Sequence, residues 1–192
     1  MKKPIIEIII PSYQRYNKLP VIINSFLAQT YTNWKLHVIS DGKDPVTEKL
    51  MEPYLLHDNI KYSNIEGPNN DWGHNAREFG LMTSDSDWII MSGDDNYYVP
   101  VFIEEFTKAI EDPNIGFVYC NMVHDHKKYQ VIDSQIREGF IDIGNFMTKT
   151  EYAKRTGFTD RSYAADFVFV DKYFKLTNCK ALKIPKILYV HN

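Results

Sequence analysis

The sequence predicts an α/β fold with a mostly parallel central sheet flanked by helices, and three observations predict it. Apolar runs at 5–10, 88–91 and 116–123 read as strands buried on both faces, as parallel sheets require. Between these runs the apolar spacing changes to the helical period. The runs end in polar loops, and in open α/β sheets ligands bind beyond the carboxyl ends of the strands. The most informative of these loops is Ser92-Gly93-Asp94-Asp95-Asn96: Gly93 lets the backbone turn, and two adjacent carboxylates suit a cation or a metal-bound phosphate.

Taken in order, residues 5–10 form the first strand and 11–17 a polar turn. A helix follows with Asn17 as N-cap, Pro20 in its first turn, and Leu19, Ile22, Ile23, Phe26 and Leu27 on one face. Residues 34–40 make a second strand ending in the loop 40–44, which completes a β-α-β unit. The spacing of Val46, Leu50, Met51, Tyr54 and Leu55 predicts a helix over 46–56, and 60–65 a short edge strand. The turn-forming stretch 67–73 precedes a helix over 74–82 that carries Arg77. After the strand at 88–91, Phe102, Phe106, Ala109 and Ile110 mark a helix starting at Pro100, and 116–123 is another strand. This alternation predicts right-handed crossovers. Beyond it, 124–137 reads as a hairpin or mobile loop, 140–147 as a strand, 149–155 as a short helix closed by Gly157, 166–176 as a helix, and 187–190 as a last strand ending in His191.

A chain of 192 residues fits one domain able to bury its own core. Its formal charge of -3 provides no broad basic field, which argues against nucleic acid or an anionic membrane as partner. Cys120 and Cys179 lack metal-site spacing, and Cys120 lies in an apolar run, so a reduced, buried thiol and a reducing compartment are expected. The basic start Met1-Lys2-Lys3 followed by 5–10 resembles a signal peptide, but the apolar run is short and interrupted by Glu7. No stretch approaches the roughly 20 apolar residues of a membrane span. A soluble, cytoplasmic protein without a transmembrane segment is expected. The stop at Asn192 after a strand-like run is compatible with one domain of a longer polypeptide.

Topology places the loops 11–15, 40–44 and 92–96 on one rim. They combine aromatic groups, a cation, a carboxylate able to accept from a base or ribose, and a metal-binding carboxylate, an inventory suited to a nucleoside diphosphate. Neither G-x-G-x-x-G nor G-x-x-x-x-G-K-[ST] occurs, so a carboxylate-bound cation rather than a glycine cradle is expected to hold phosphate.

Six segments in order resemble the inverting family 2 glycosyltransferases of GT-A fold. Ile9-Ile10-Pro11-Ser12-Tyr13-Gln14-Arg15 looks like that family's opening strand and donor loop, and Asp41-Gly42 resembles its base-contacting acidic residue. Ala76-Arg77-Glu78-Phe79-Gly80 is similar to its A-R-N-x-G helix, with Glu78 in place of Asn. Ser92-Gly93-Asp94-Asp95 resembles its D-x-D-D metal loop, with Ser92 in place of the first aspartate. Tyr163-Ala164-Ala165-Asp166-Phe167 is similar to the segment holding its base, and Tyr189-Val190-His191 to its R-x-H ending.

The resemblance implies a GT-A (Rossmann-like, nucleotide-diphospho-sugar transferase) fold over a single domain 1–192, with a donor half 1–100 and an acceptor half 101–192. It implies a metal-dependent transferase that moves a sugar from a nucleotide-sugar, a UDP-sugar first, to a glycan hydroxyl. Asp166 would be the general base. Pro11, Tyr13, Arg15, Asp41, Arg77, Ser92, Asp94 and Asp95 would hold the donor, and Asp94 and His191 a Mn2+ (or Mg2+) ion, the imidazole favouring Mn2+.

Plainer readings stand beside these. Asp166 is also a good first-turn helix residue, Arg77 a candidate surface ion pair with Glu78 or Asp71, and His124-Asp125-His126 a polar loop. Trp72 and His74 are candidates to line the sugar or acceptor pocket. A sugar-nucleotide pyrophosphorylase would need a glycine-rich first loop, which 11–17 lacks. A binding module without catalysis is the reading that Ser92 favours.

Overall fold

The structure is a computed structural model that describes residues 3–192; Met1 and Lys2, with which the basic amino-terminal stretch begins, lie outside the described residues. Four strands form the parallel half of one sheet: β1 (Ile6–Ser12), β2 (Trp34–Asp41), β3 (Ile60–Ile65) and β4 (Trp88–Met91), in the order β3-β2-β1-β4. The helices α1 (Leu19–Leu27), α2 (Pro45–Met51) and α3 (His74–Thr83) connect them. Beyond β4 the sheet becomes mixed. Strand β5 (Tyr97–Tyr98) and helix α4 (Phe102–Ala109) lead to β6 (Ile115–His124), which pairs in a hairpin with β7 (Gln130–Ile132). Strand β8 (Phe146–Lys149) lies antiparallel between β4 and β6, and β9 (Lys180–His191) runs parallel to β6 on its other side. Helices α5 (Thr150–Thr156) and α6 (Ala165–Thr177) separate β8 from β9.

Strand pleating sorts the core into two layers. Ile6, Ile8 and Ile10 pack with Leu19, Ile22, Phe26, Phe102 and Phe106, on the face covered by α1 and α4. Ile9, Ile39, Ile89 and Phe117 pack with Leu81, Ala153, Phe169 and Tyr173, on the face covered by α3, α5 and α6. The uniformly buried β1 and β4 are therefore covered on both faces, as their sequences predict.

Where elements differ from expectation, local chemistry explains it. Helix α1 is flanked by Lys18, not Asn17, and has no side-chain cap. Helix α2 stops at Met51, two residues before Pro53, and only a single 3-10 turn follows at Tyr54–Leu56. Residues 140–145 are not a strand. Asp142 Oδ1 accepts from the Gly144 N–H (2.9 Å) and Asn145 Oδ1 from the Asp142 N–H (3.2 Å), so side chains tie this stretch into a turn. Strand β9 begins at Lys180 rather than at 187, and its pairing with β6 shifts register between Ile184 and Ile187, which accommodates Pro185.

Glu7 is the polar exception in β1. It is fully buried, its Oε2 accepts from Ser84 Oγ (2.6 Å), and Lys61 Nζ lies 2.9 Å from its Oε1. His37 sits nearby on β2, buried, with Nε2 2.7 Å from Ser63 Oγ; burial and then Lys61 push its pKa down to about 3. The unfolded chain protonates this residue near 6.5. Between those values the unfolded state binds the extra proton, so stability falls as pH falls through the window. Lowering pH from 6.5 to 4.5 is expected to cost up to about 2–3 kcal/mol through His37 alone. Urea unfolding at both pH values measures this: His37→Gln should lose correspondingly less on acidification, and an equal loss in both proteins would refute the assignment.

Candidate active site

The carboxyl ends of β1, β2 and β4 meet the turn 70–73 and the ends of β6 and β9 around a cleft of about 580 Å3, lined among others by Pro11, Tyr13, Arg15, Asp41, Asp94 and Asp95. The parallel topology brings these loops together. Gly73 adopts φ +79, and a side chain there would collide with Pro11, so glycine lets the 70–73 turn close on the first loop. Asp41 anchors the same stretch, its carboxylate accepting from the Asn69 N–H at 3.0 and 3.1 Å. Asp71 Oδ1 accepts from the N–H groups of Gly73 and His74, and Oδ2 from that of Asn75, so a side chain satisfies the start of α3.

The acidic loop is short of positive charge. Asp94 is buried, and its pKa is pushed up to about 6 by burial and then by Asp95, against the pull of Arg15. Arg15 Nε lies 3.7 Å from Asp94 Oδ1 and Lys18 Nζ 3.2 Å from Asp95 Oδ2, but both cations are half-exposed. Two adjacent hard oxygen donors with loose counter-charges fit a divalent cation.

Two residues do not sit as the sequence reading has them. The Ser92 side chain is fully buried and is not among the residues lining the cleft, its Oγ lying 2.7 Å from the hydroxyl of the buried Tyr98. Arg77 is not a surface ion pair. It is buried, with Nε and Nη2 donating to the Ser92 carbonyl (3.3 and 3.1 Å) and Nη1 to the Trp72 carbonyl (2.8 Å) and to His74 Nδ1 (3.4 Å). Burial, with Arg77 next to it, lowers the pKa of His74 to about 4 and keeps it neutral. Glu78, the substitute for asparagine, accepts from the Phe158 N–H and so ties α3 to the loop that follows α5.

A second cavity of about 290 Å3 adjoins the first and shares Trp72, Arg77, Gly93, Asp95, His126, Tyr163 and His191 with it. Asp166 lines this second cavity from the first turn of α6. It does not cap its own helix: its Oδ2 accepts from the Ile143 N–H (3.0 Å). Burial and the neighbouring Asp142 raise its pKa well above the usual carboxylate range, with Arg77 opposing. Trp72, with φ +55, and Tyr163 are exposed and line both cavities.

His191 lines the same cleft as Asp94. Its Nδ1 faces Asp125 Oδ1 (3.1 Å) and its Nε2 faces Asp142 Oδ2 (3.8 Å). Among the described residues, the groups of three or more ligands that one ion would bridge are His124, Asp142 and His191, and His124, Asp125 and His126. The D-H and H-x-H spacing of 124–126 was the signal available in the sequence. Asp142 gave none, because it lies in a stretch that reads as a strand.

A sheet that is parallel in one half and mixed in the other, with an acidic cleft across its strand ends, defines a GT-A type transferase fold. The chain belongs to glycosyl transferase family 2, whose sequence model matches residues 7–183. An uncharacterized glycosyltransferase of Haemophilus influenzae is 29% identical over 130 residues, 65% of this chain and 42% of that protein. One from Rickettsia typhi is 31% identical over 134 residues, 69% of this chain and 38% of that protein. The chain thus matches less than half the length of these relatives. Among solved structures, residues 1–349 of S. aureus TarS superpose with a TM-score of 0.83 at 17% identity, covering 97% of this chain and 60% of that one. The mannosyltransferase PcManGT from Pyrobaculum calidifontis, solved with GDP-Man and Mn2+, superposes with a TM-score of 0.77 at 15% identity, covering 99% of this chain and 57% of that one. No helix among the described residues is long and apolar enough to cross a membrane.

Proposed function

We propose that the chain carries a metal-dependent, inverting glycosyltransferase centre that takes a nucleotide-sugar, a UDP-sugar first, and transfers the sugar to a glycan hydroxyl. The observation that carries this reading is the adjacency of the two cavities: the acidic loop opens on one, Asp166 on the other, and they share a wall. Family membership supports sugar transfer. TarS has been solved with UDP and with UDP-GlcNAc, which supports a uridine nucleotide, and the Mn2+ of the mannosyltransferase complex supports a cation.

In this reading Tyr13 and Arg15 frame the base, with Asp41 on the ribose or base edge, and Asp94 is the chief protein ligand of a Mn2+ (or Mg2+) ion. Such a cation, when bound, neutralises the charge that the departing diphosphate gains. Asp166 accepts the proton of the acceptor hydroxyl while its oxygen attacks the anomeric carbon from the face opposite the diphosphate. The new C–O bond forms as the bond to the phosphate oxygen breaks, and the configuration inverts.

Calorimetric titration of UDP with Mn2+, with Mg2+ and with chelator tests the donor half. Binding should require the cation, and Asp94→Ala should weaken it about tenfold or more, the loss of one charge-assisted contact. GDP binding in preference to UDP would replace the nucleotide; cation-independent binding would refute the role of Asp94.

A further inference from the structure

We propose that the sugar residue receiving the transfer is one without phosphate or carboxylate, seated on the rings of Trp72 and Tyr163 at the rim that the two cavities share. That this sugar is the acceptor rests on the transferase reading; that it binds at Trp72 does not.

The two rings are held out of the core by a braced backbone. Trp72 is 66% exposed and Tyr163 80%, and both line both cavities, whereas Trp34 and Trp88 are buried. Trp72 holds φ +55, a conformation that is strained for a bulky residue and that persists where the surroundings impose it, as at ligand sites. Here they do. Arg77 Nη1 donates to the Trp72 carbonyl (2.8 Å), and Asp71 accepts from the N–H groups of Gly73, His74 and Asn75. His74 lies beside the indole, ring centroids 6.0 Å apart, and packs in turn on Phe158 at 5.3 Å. Arg161 ties the Tyr163 loop to the same unit: Nε and Nη2 donate to Asn75 Oδ1 (3.0 and 2.6 Å) and Nη1 to the Phe158 carbonyl (2.6 Å). Two exposed rings are thus ordered before any ligand arrives, which lets an aromatic surface receive the C–H face of a sugar at low entropic cost.

Charge selects the kind of sugar. The cations Arg15 and Lys18 line the first cavity and not the second. Four carboxylates, Asp95, Glu138, Asp142 and Asp166, line the second against the single guanidinium of Arg77, all but one of whose hydrogens are already donated to protein acceptors. The imidazoles there other than His74 stand beside carboxylates. His124 Nδ1 and His191 Nδ1 lie 2.9 and 3.1 Å from Asp125 Oδ1, His126 Nε2 3.7 Å from Asp125 Oδ2, and His191 Nε2 3.8 Å from Asp142 Oδ2. Any charge they gain is answered by those groups. A phosphate or carboxylate on the incoming sugar would enter among like charges with no free cation to meet it, and such juxtaposition disfavours binding strongly. Met122, Ile141 and Ile143 add apolar surface to the same wall.

The test is an NMR titration that follows the Trp72 indole N–H, one of three tryptophan signals and the one lost in Trp72→Gly. It runs at pH 8, above the ordinary titration range of imidazole, first without nucleotide and then with UDP and Mg2+. The probes are the methyl glycosides of glucose, galactose, mannose and N-acetylglucosamine, each beside its 6-phosphate. At least one neutral glycoside should shift the Trp72 signal saturably, and its 6-phosphate should bind about tenfold or more weakly. Saturation transfer to the glycoside should show that binding weakened about three- to tenfold in Trp72→Gly and in Tyr163→Ala. Trp72→Gly relieves the strained φ and should melt no lower than the parent. Equal or tighter binding of the 6-phosphate, no Trp72 shift with any neutral glycoside, or a lowered melting temperature in Trp72→Gly would overturn the proposal. A Trp72 shift with UDP and none with a glycoside would assign the ring to the nucleotide and overturn it equally. Failure of the donor reading looks different: glycosides that shift Trp72 while calorimetry shows no UDP binding would end the transferase mechanism and leave the sugar site standing.

Discussion

Replacing Asp166 by Asn is expected to lower kcat by about 10²- to 10⁴-fold, the range that a general base contributes, while the affinity for UDP and cation stays that of the parent. The amide keeps the shape and can still accept from the Ile143 N–H, which the carboxylate meets at 3.0 Å. It also removes a charge that burial and Asp142 disfavour. A folded-state pKa raised above the unfolded value means that the ionised form costs stability at neutral pH. The variant should therefore melt no lower than the parent. Single-turnover kinetics with a UDP-sugar, run beside calorimetry and thermal melting, separate the possibilities. Loss of turnover with intact donor binding and undiminished stability assigns Asp166 to chemistry. Loss of donor binding together with a lowered melting temperature would assign it to structure and end the proposed mechanism.

The parallel half of the fold was legible because its strands are uniformly apolar and its loops are not. Ile8, Ile9 and Ile10 bury on both faces, and that pattern alone implies helices above and below and polar loops gathered at one rim. The convergence of Pro11, Tyr13, Arg15, Asp41, Asp94 and Asp95 on one cleft followed from topology. The carboxyl half was harder, since its signals compete. Phe140, Ile141, Ile143 and Phe146 pattern as a strand, yet the side chains of Asp142 and Asn145 bond to the backbone and turn the chain before the pairing with β4 begins. Strand β5, only Tyr97–Tyr98, is too short to carry a period. The grouping of His124, Asp142 and His191 depends on the register between β6 and β9, which no local pattern encodes.

Arg77→Ala is expected to destabilise the chain by about 2–6 kcal/mol, the scale for leaving two buried carbonyls without their donor. The sequence resemblance aims this arginine at the donor, whereas its guanidinium reaches the carbonyls of Ser92 and Trp72 and the ring of His74, which leaves a single Nη2–H for anything in the cleft. Those two carbonyls belong to the acidic loop and to the turn that faces it, so Arg77 is a brace between the two walls of the site. Each buried carbonyl left without a donor costs about 1–3 kcal/mol. Lysine, a point donor without the planar fork, should not restore the parent's stability. Urea unfolding of the parent, Arg77→Ala and Arg77→Lys decides between brace and donor contact. A brace lowers the unfolding free energy in both variants and weakens UDP binding as a consequence, because Asp94 follows the Ser92 carbonyl that Arg77 holds. A direct donor contact would instead leave unfolding nearly unchanged and reduce UDP affinity alone, and that outcome would return Arg77 to the role its motif implies.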